Sequence, residues 1–413
     1  MSIESNETPV VVLRSGHHGG LGIVRSMGRL GVPVYCVGDH NWEPAFSSRY
    51  CRGRFLGTSE NGSPAKSVPA LLQIGRDLGR RPILVPTTDR GAIWVAENAR
   101  ALRTVFRFPY VDSTLARLLC DKGHMQELAR RSGVPTAQSV VPRSKDDVER
   151  FLDSAVFPVM VKATDGERLR SRLGATKFII QSRRDLLELY ARAEDREEPN
   201  LLIQEFIPGE DWMFEGYFDQ NSRCLFGVTG KKIRRFPVNT GVTSLGVCLR
   251  NETVERTTTE FMRTIGYQGI LDIGYRYDLR DGRYKVLDVN PRIGCTFRLF
   301  AAVNDMDVAR ALYWHLTGQP VFTTQVAEGR KWIVEDFDVI SAFRSWRAGT
   351  LTFMDWVKSF RGIQEAACFA FDDPLPFLLM PLADCSELYK WFRRQRNATK
   401  RAAPTSEGIS GVT

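Results

Sequence analysis

The sequence predicts an α/β domain with a doubly wound sheet at the N-terminus and mixed α+β structure through the rest of the chain. Three observations carry that expectation. The opening stretch PVVVLRSGHHGGLGIVRSMGRLGVPVYCVGD reads strand, glycine-rich turn, helix, strand, a βαβ unit of about thirty residues. The pattern changes at Asp112, where short capped helices begin. Strands dominate from 212 to 248, and a hairpin covers 269 to 290.

In chain order, Val10 to Leu13 is the first strand, Gly16 to Gly22 the turn, and Val32 to Val37 the second apolar run. A further strand lies at Ile83 to Val85, with a helix starting near Asp89, so residues 1–111 form the first domain. Asp112 or Ser113 caps a short helix, and a second helix runs from Asp121 to about Arg131, where Gly133 and Pro135 end it. FPVMVKAT (157–164) is a strand, DGERLRSRLGATK a polar loop, FIIQ another strand, and RRDLLELYARAEDRE an amphipathic helix leading into LLIQEFIPGED. Helices follow at 254–265 and 305–318. Residues 320–413 read as an α+β extension with a basic tail.

The bulk numbers narrow the class. With 413 residues, 43% of them hydrophobic, the chain can bury a large core over about two to four domains. Eight cysteines without a CxxC pair point to reduced thiols in a cytoplasmic protein, not to disulfides or zinc. No secretory signal opens the chain, and LPFLLMPLA is too short and too broken by proline to span a bilayer. Of the net charge of +9, residues 390–401 supply six basic side chains and no acid. That segment reads as a solvated terminus or as a weak contact with an anionic membrane surface. No nucleic-acid module is present, so no nucleic-acid partner is expected. Association of the chain with itself is open.

The glycines at 16, 19, 20 and 22 miss the GxGxxG spacing, because Arg25 stands where the third glycine belongs. An NAD(P)-dependent oxidoreductase is therefore a minor reading. A helix N-terminus above a parallel sheet can still receive a carboxylate or phosphate.

The hairpin ILDIGYRYDLRDGRYKVLDVN allows two turns. A two-residue Asp281-Gly282 turn pairs Arg280 with Arg283 and puts Asp272 and Asp288 on opposite faces. A three-residue loop with Gly282 left-handed pairs Leu279 with Arg283, setting Asp272 opposite Asn290 and Asp288 opposite Gly274. The second collects Asp272, Asp288 and Asn290 on one face, with Arg292 beyond, an oxygen cluster that suits magnesium.

The ordered set of motifs over residues 10–315 resembles the ATP-grasp superfamily, in its carboxylate–amine ligase form. The resemblance implies a two-lobed fold, with the first lobe at 112–200 and the second, carrying the metal site, at 201–319. It implies that Lys122, in Asp121-Lys122, and Lys162, ending FPVMVK, reach the phosphates of ATP. It places adenine on Gln204, Glu205 and Ile207 and the ribose on Asp211, with Glu210 the near alternative. It implies Mg2+ (or Mn2+) on Asp272, Asp288 and Asn290, and Arg292 on the transferring phosphoryl group. Two departures stand out: Asp288 replaces the usual glutamate, and the phosphate loop has only Gly166 and Gly174, with Arg168, Arg170, Arg172 and Lys177 as charge donors.

The implied chemistry is activation of a small-molecule carboxylate as an acyl phosphate, then attack by an amine, releasing ADP and phosphate. Lys231, Lys232, Arg234 and Arg235 form a candidate substrate lining, which suits an acidic substrate or equally a solvated basic face. Arg298 is a second candidate carboxylate clamp beside Arg292 and Lys162. The alternative is a non-catalytic ATP-binding protein that docks on a membrane or partner through its basic C-terminal region.

Overall fold

The computed structural model describes residues 3–57, 64–163, 169, 173, 177–194, 199–238, 241–322 and 324–380. The phosphate-loop residues Gly166, Arg168, Arg170, Arg172 and Gly174, and the basic segment 390–401, lie outside them.

Short apolar runs build the N-terminal sheet from β1 (Val10–Leu13), β2 (Val34–Gly38), β3 (Cys51–Leu56) and β4 (Ile83–Pro86). All pairs are parallel and the order is β3-β2-β1-β4, so the winding reverses between β1 and β4. The C-terminal ends of those two strands open a crevice suited to a ligand. The glycine turn is shorter than expected. A helix already begins at His18 and runs to Gly28, because His17 caps it through Nδ1, which accepts from the Gly19 amide at 3.1 Å. The glycines serve close packing instead: a Cβ on Gly20 would lie 2.6 Å from the Ser15 carbonyl oxygen.

Asp112 and Asp121 cap the helices Ser113–Cys120 and Lys122–Arg131, each carboxylate accepting from amides of the first turn. The first lobe is a four-stranded sheet, β5-β8-β6-β7, of β5 (Ser139–Val140), β6 (Val159–Ala163), β7 (Lys177–Ile180) and β8 (Leu201–Glu205). Its core of Val148, Phe151, Val159, Val161, Leu186, Tyr190, Leu201 and Ile203 is drawn from residues of this lobe.

The expected boundary at 200/201 needs correction, because β8 pairs antiparallel with β6 and belongs to the first lobe. The helices at 113–131 instead pack on the second lobe, where Leu119, Met125 and Ala129 join Phe214, Phe261 and Val286.

The second lobe is a seven-stranded sheet, in the order β13-β12-β9-β10-β11-β14-β15. Its strands are β9 (Asp211–Phe218), β10 (Cys224–Phe236), β11 (Val242–Cys248), β12 (Gly269–Asp278), β13 (Arg283–Asn290), β14 (Lys331–Ile333) and β15 (Ile363–Ala366). The sheet thus continues past residue 319, since β14 pairs with β11 and β15 with β14. One core joins the N-terminal sheet to this lobe, with Leu21, Val24 and Met27 against Phe297, Leu299, Leu312 and Trp332.

The hairpin resolves the turn question in an unexpected way. Asp278 pairs with Arg283 around a four-residue loop that has Gly282 at φ +68, so neither the Arg280–Arg283 nor the Leu279–Arg283 pair forms. A bulge at Leu287 then shifts the ladder, and Gly274 meets Asp288 while Asp272 meets Asn290. The oxygen face forms as expected, but the bulge creates it rather than the loop.

Candidate active site

Between the two lobes lies a cleft of about 840 Å³, counted to its open mouth. That size suits a nucleotide. Four lysines line it: Lys122 from the helix after Asp121, Lys162 at the end of β6, Lys177 opening β7, and Lys232 on β10. The β6–β7 ladder sets Lys162 directly opposite Lys177. Lys162 is buried, and its ammonium donates to Gln204 Oε1 at 2.7 Å. Burial, then the charges of Lys122 and Lys177, pull Lys162 down to about 7. Lys177 is lowered by burial and by Lys122.

Facing them is Asp288. Burial works to raise its carboxyl, but Lys232, Lys162, Lys177 and Lys122 together hold it below its ordinary value. Asp272 behaves oppositely. Burial pushes it up to about 6, with Arg292 opposing and Asp288 adding. Asn290 bridges the two, its amide nitrogen 3.2 Å from Asp272 Oδ2 and 3.4 Å from Asp288 Oδ2. Among the described residues no three His, Cys, Asp or Glu side chains converge, so the protein offers two carboxylates and an amide. Magnesium asks for that few, taking the rest of its octahedron from water and phosphate. The donor set fits such an ion. The cleft also fits a polyanion: four cations converge there, and the buried Gln204 Nε2 has no hydrogen-bond partner among the described residues.

Arg292 leaves β13 toward the N-terminal sheet. Its Nε donates to Asp89 at 2.8 Å, and Nη1 donates to Asp272 at 3.2 Å. It therefore stands between the oxygen face and the crevice beyond β4. Asp89 was not foreseen, although it opens a helix immediately after that strand. Glu215 on β9 is a second omission. It pairs opposite Asp272, is fully buried, and accepts from the Gly294 amide at 2.8 Å. Burial and Asp272 raise it well above the usual range. A lone acid inside the apolar run DWMFEGYF was the signal for it.

Other expected residues are placed differently. Asp211 lines the cleft, yet its carboxylate is held by Arg235 at 2.6 Å and by Arg276. Glu205 is held by Arg280 at 2.6 Å and by Lys285 at 3.2 Å, which leaves the β8 edge and the Ile207 segment to line the cleft. Glu210 pairs with Lys231. The basic lining is largely neutralised, since Arg234 forms a two-point pair with Asp338 and Arg235 is paired with Asp211.

Arg298 is corrected outright as a carboxylate clamp. It is 4% exposed and saturated by Glu365, Asp307 and Asp305, a structural cluster that ties the C-terminal strand to the core. Nothing in the short stretch separating it from Arg292 could show that.

The two lobes and the lysine-lined cleft define an ATP-grasp architecture. No family model matches the chain. Among curated proteins it is 25% identical over 246 residues to D-aspartate ligase of Enterococcus faecium, covering 57% of this chain and 58% of that protein. It is also 25% identical over 221 residues to carbamoyl-phosphate synthase of Methanobrevibacter smithii, covering 49% and 54%. The chain thus spans less than two thirds of these relatives. Among solved structures, N5-carboxyaminoimidazole synthetase of Staphylococcus aureus with ADP superposes at a TM-score of 0.60, with 14% identity over 79% of this chain and 81% of that one. L-amino acid ligase of Bacillus licheniformis superposes at 0.56, with 15% identity over 78% and 76%. The chain thus shares its fold with these solved structures and part of its sequence with the curated ligases.

Proposed function

We propose that the chain is an ATP- and magnesium-dependent carboxylate–amine ligase. The observation that carries this reading is the convergence of Lys122, Lys162, Lys177 and Lys232 on Asp288 in one cleft. The lysines hold the β- and γ-phosphates, and Asp288, Asn290 and Asp272 would hold a magnesium ion, which would supply positive charge to the phosphates. Gln204 and the Ile207 segment line the base, and Asp211, with Glu210 nearby, closes the ribose end. Arg292, oriented by Asp89 and Asp272, presents a cation where the carboxylate arrives from the β1/β4 crevice. A carboxylate oxygen attacks the γ-phosphorus and ADP leaves. An amine nitrogen then attacks the acyl carbon and phosphate leaves with the bonding pair. Catalysis is by positioning and charge; no side-chain nucleophile is needed.

The substrates are small molecules, and D-aspartate heads the acids to try because of the relative named above. The free thiols suit the cytoplasm. Among the described residues no helix is long and apolar enough to cross a membrane.

A second reading, a non-catalytic nucleotide-binding protein that docks elsewhere, has one observation in its favour. Phe343, Trp346, Phe353 and Met354, on the helices Glu335–Arg347 and Phe353–Ser359, are exposed. Release of ADP, measured over a panel of amino and hydroxy acids with and without amines, separates the two. The ligase gives ADP and an amide from one acid–amine pair, and Lys162→Met lowers that turnover about 100-fold. Nucleotide binding with no turnover on any pair overturns the ligase.

A further inference from the structure

Away from the four lysines, a thiol and an imidazole meet at the junction of the N-terminal sheet and the second lobe. Cys295 Sγ lies 3.5 Å from His17 Nδ1, and both residues are half-buried. His17 Nε2 donates to the Thr87 carbonyl at 3.2 Å and Nδ1 accepts from the Gly19 amide at 3.1 Å, so the ring is fixed with the sulfur beside it, 3.5 Å from Nδ1 and 4.0 Å from Nε2. The first turn of helix 18–28 lies against the same residue: a Cβ on Gly19 would sit 2.9 Å from the Cys295 Cα. A thiol beside an imidazole, a helix N-terminus and a fixed guanidinium is in the setting that favours thiolate.

The charges around the pair can be followed group by group. Burial works against charge on either partner. Cys295 nevertheless raises the imidazole, and His17, followed by Arg292, lowers the thiol. Asp272 opposes the thiolate, while Asp89 acts on it at one remove by anchoring Arg292. Glu215 lies nearby, its carboxyl raised well above the usual range by burial and Asp272. His18 is pushed down to about 3 by burial and stays neutral.

Five other cysteines contrast with this one. Burial pushes Cys120, Cys224 and Cys248 up to about 12, and a hydrogen bond with Cys51, followed by burial, raises Cys36 well above the usual range. Cys51 is lowered, but first through its hydrogen bond with Cys36, with Arg54 a minor contributor.

We propose that Cys295, paired with His17, is a covalent modification site that reacts with peroxides and soft electrophiles ahead of Cys36, Cys51, Cys120, Cys224 and Cys248. In the peroxide reaction the thiolate sulfur attacks one oxygen of hydrogen peroxide and the O–O bond breaks. Hydroxide leaves, and the sulfur is oxidised by two electrons to sulfenic acid. With iodoacetamide the S–C bond forms as iodide leaves. This inference does not rest on the ligase reading and survives its loss.

The test is limited alkylation of the native full chain with iodoacetamide at pH 7, read at each cysteine by peptide mass spectrometry, with dimedone trapping after hydrogen peroxide. Cys295 should label at least about tenfold faster than Cys36, Cys51, Cys120, Cys224 and Cys248. His17→Asn, which keeps a helix-capping side chain, should slow Cys295 about tenfold at pH 7 and leave Cys51 unchanged. Its rate should recover at pH 9.5, where any accessible thiol ionises; that recovery separates lost activation from altered packing. Labelling of Cys51 first, equal rates at all cysteines, or a Cys295 rate unmoved by His17→Asn would overturn the proposal.

Discussion

The first lobe and the rest of the molecule are held together differently. The first lobe closes a small core of its own around Val161, Leu201 and Ile203. The N-terminal sheet and the second lobe share one core, with Phe297 and Leu299 wedged between them. The difference divides the site. Lys162 and Lys177 ride on the small unit, whereas Asp272, Asp288, Asn290 and Arg292 sit on the large one. The charge attraction of Asp288 to Lys162 and Lys177 therefore acts across the boundary between two separately stabilised bodies, whereas Lys232 and Lys122 act on it from its own side.

The largest expected effects test that division by stability. Phe297→Ala empties a fully buried position in the shared core and should cost about 3–5 kcal/mol, seen as loss of the main thermal transition. Leu201→Ala should cost about 2–5 kcal/mol in the first lobe alone. Hydrogen exchange should then show faster opening at 139–205 while the large body stays protected. Uniform loosening of both bodies by Leu201→Ala would erase the distinction.

Arg298→Met should lower stability by about 3–5 kcal/mol, because Glu365 and Asp307 lose their buried partner. Turnover per folded molecule should be unchanged, which checks its structural assignment.

Next comes Lys162→Met. Turnover should fall about 100-fold, while the melting temperature of the nucleotide-free protein rises by about 2–4 °C, since a poorly solvated cation has been removed. A fall in both would mean that Lys162 is a structural residue.

The smallest effect is on protons. Lys162 is lowered to about 7, so it is mostly neutral at pH 8 in the free protein. Phosphates return it toward its ordinary value, so nucleotide binding at pH 8 takes up a proton and weakens as pH rises above 7. The unfolded chain binds that proton up to its higher ordinary value, so the stability of the nucleotide-free protein rises with pH across the window from about 7 to 10.5. Calorimetry in buffers of different ionisation heat should show the uptake, and Lys162→Met should abolish it.

Local signals explain what was legible. Apolar runs placed β1, β4 and β6, and the cap of the first short helix was narrowed to Asp112 or Ser113, because capping acts within a few residues; Asp112 is the one that accepts from the first-turn amides. The i, i+2 spacing of Asp288 and Asn290 put them on one face. The rest depended on contacts distant in sequence. Glu365 lies 67 residues from Arg298, and Asp89 lies 203 from Arg292. The bulge at Leu287 compensated for a longer loop that propensity alone could not fix. Half-matching outer strands such as β14 and β15 carry too few residues to show a period.

The central claim is carboxylate activation in the interlobe cleft, and hydroxylamine trapping tests it most directly. Incubated with ATP, magnesium, the accepted acid and hydroxylamine in place of the amine, the protein should form hydroxamate and ADP in equal amounts, and Asp288→Asn should suppress both together. ADP formed without hydroxamate, or equal yields from the variant, would contradict the account.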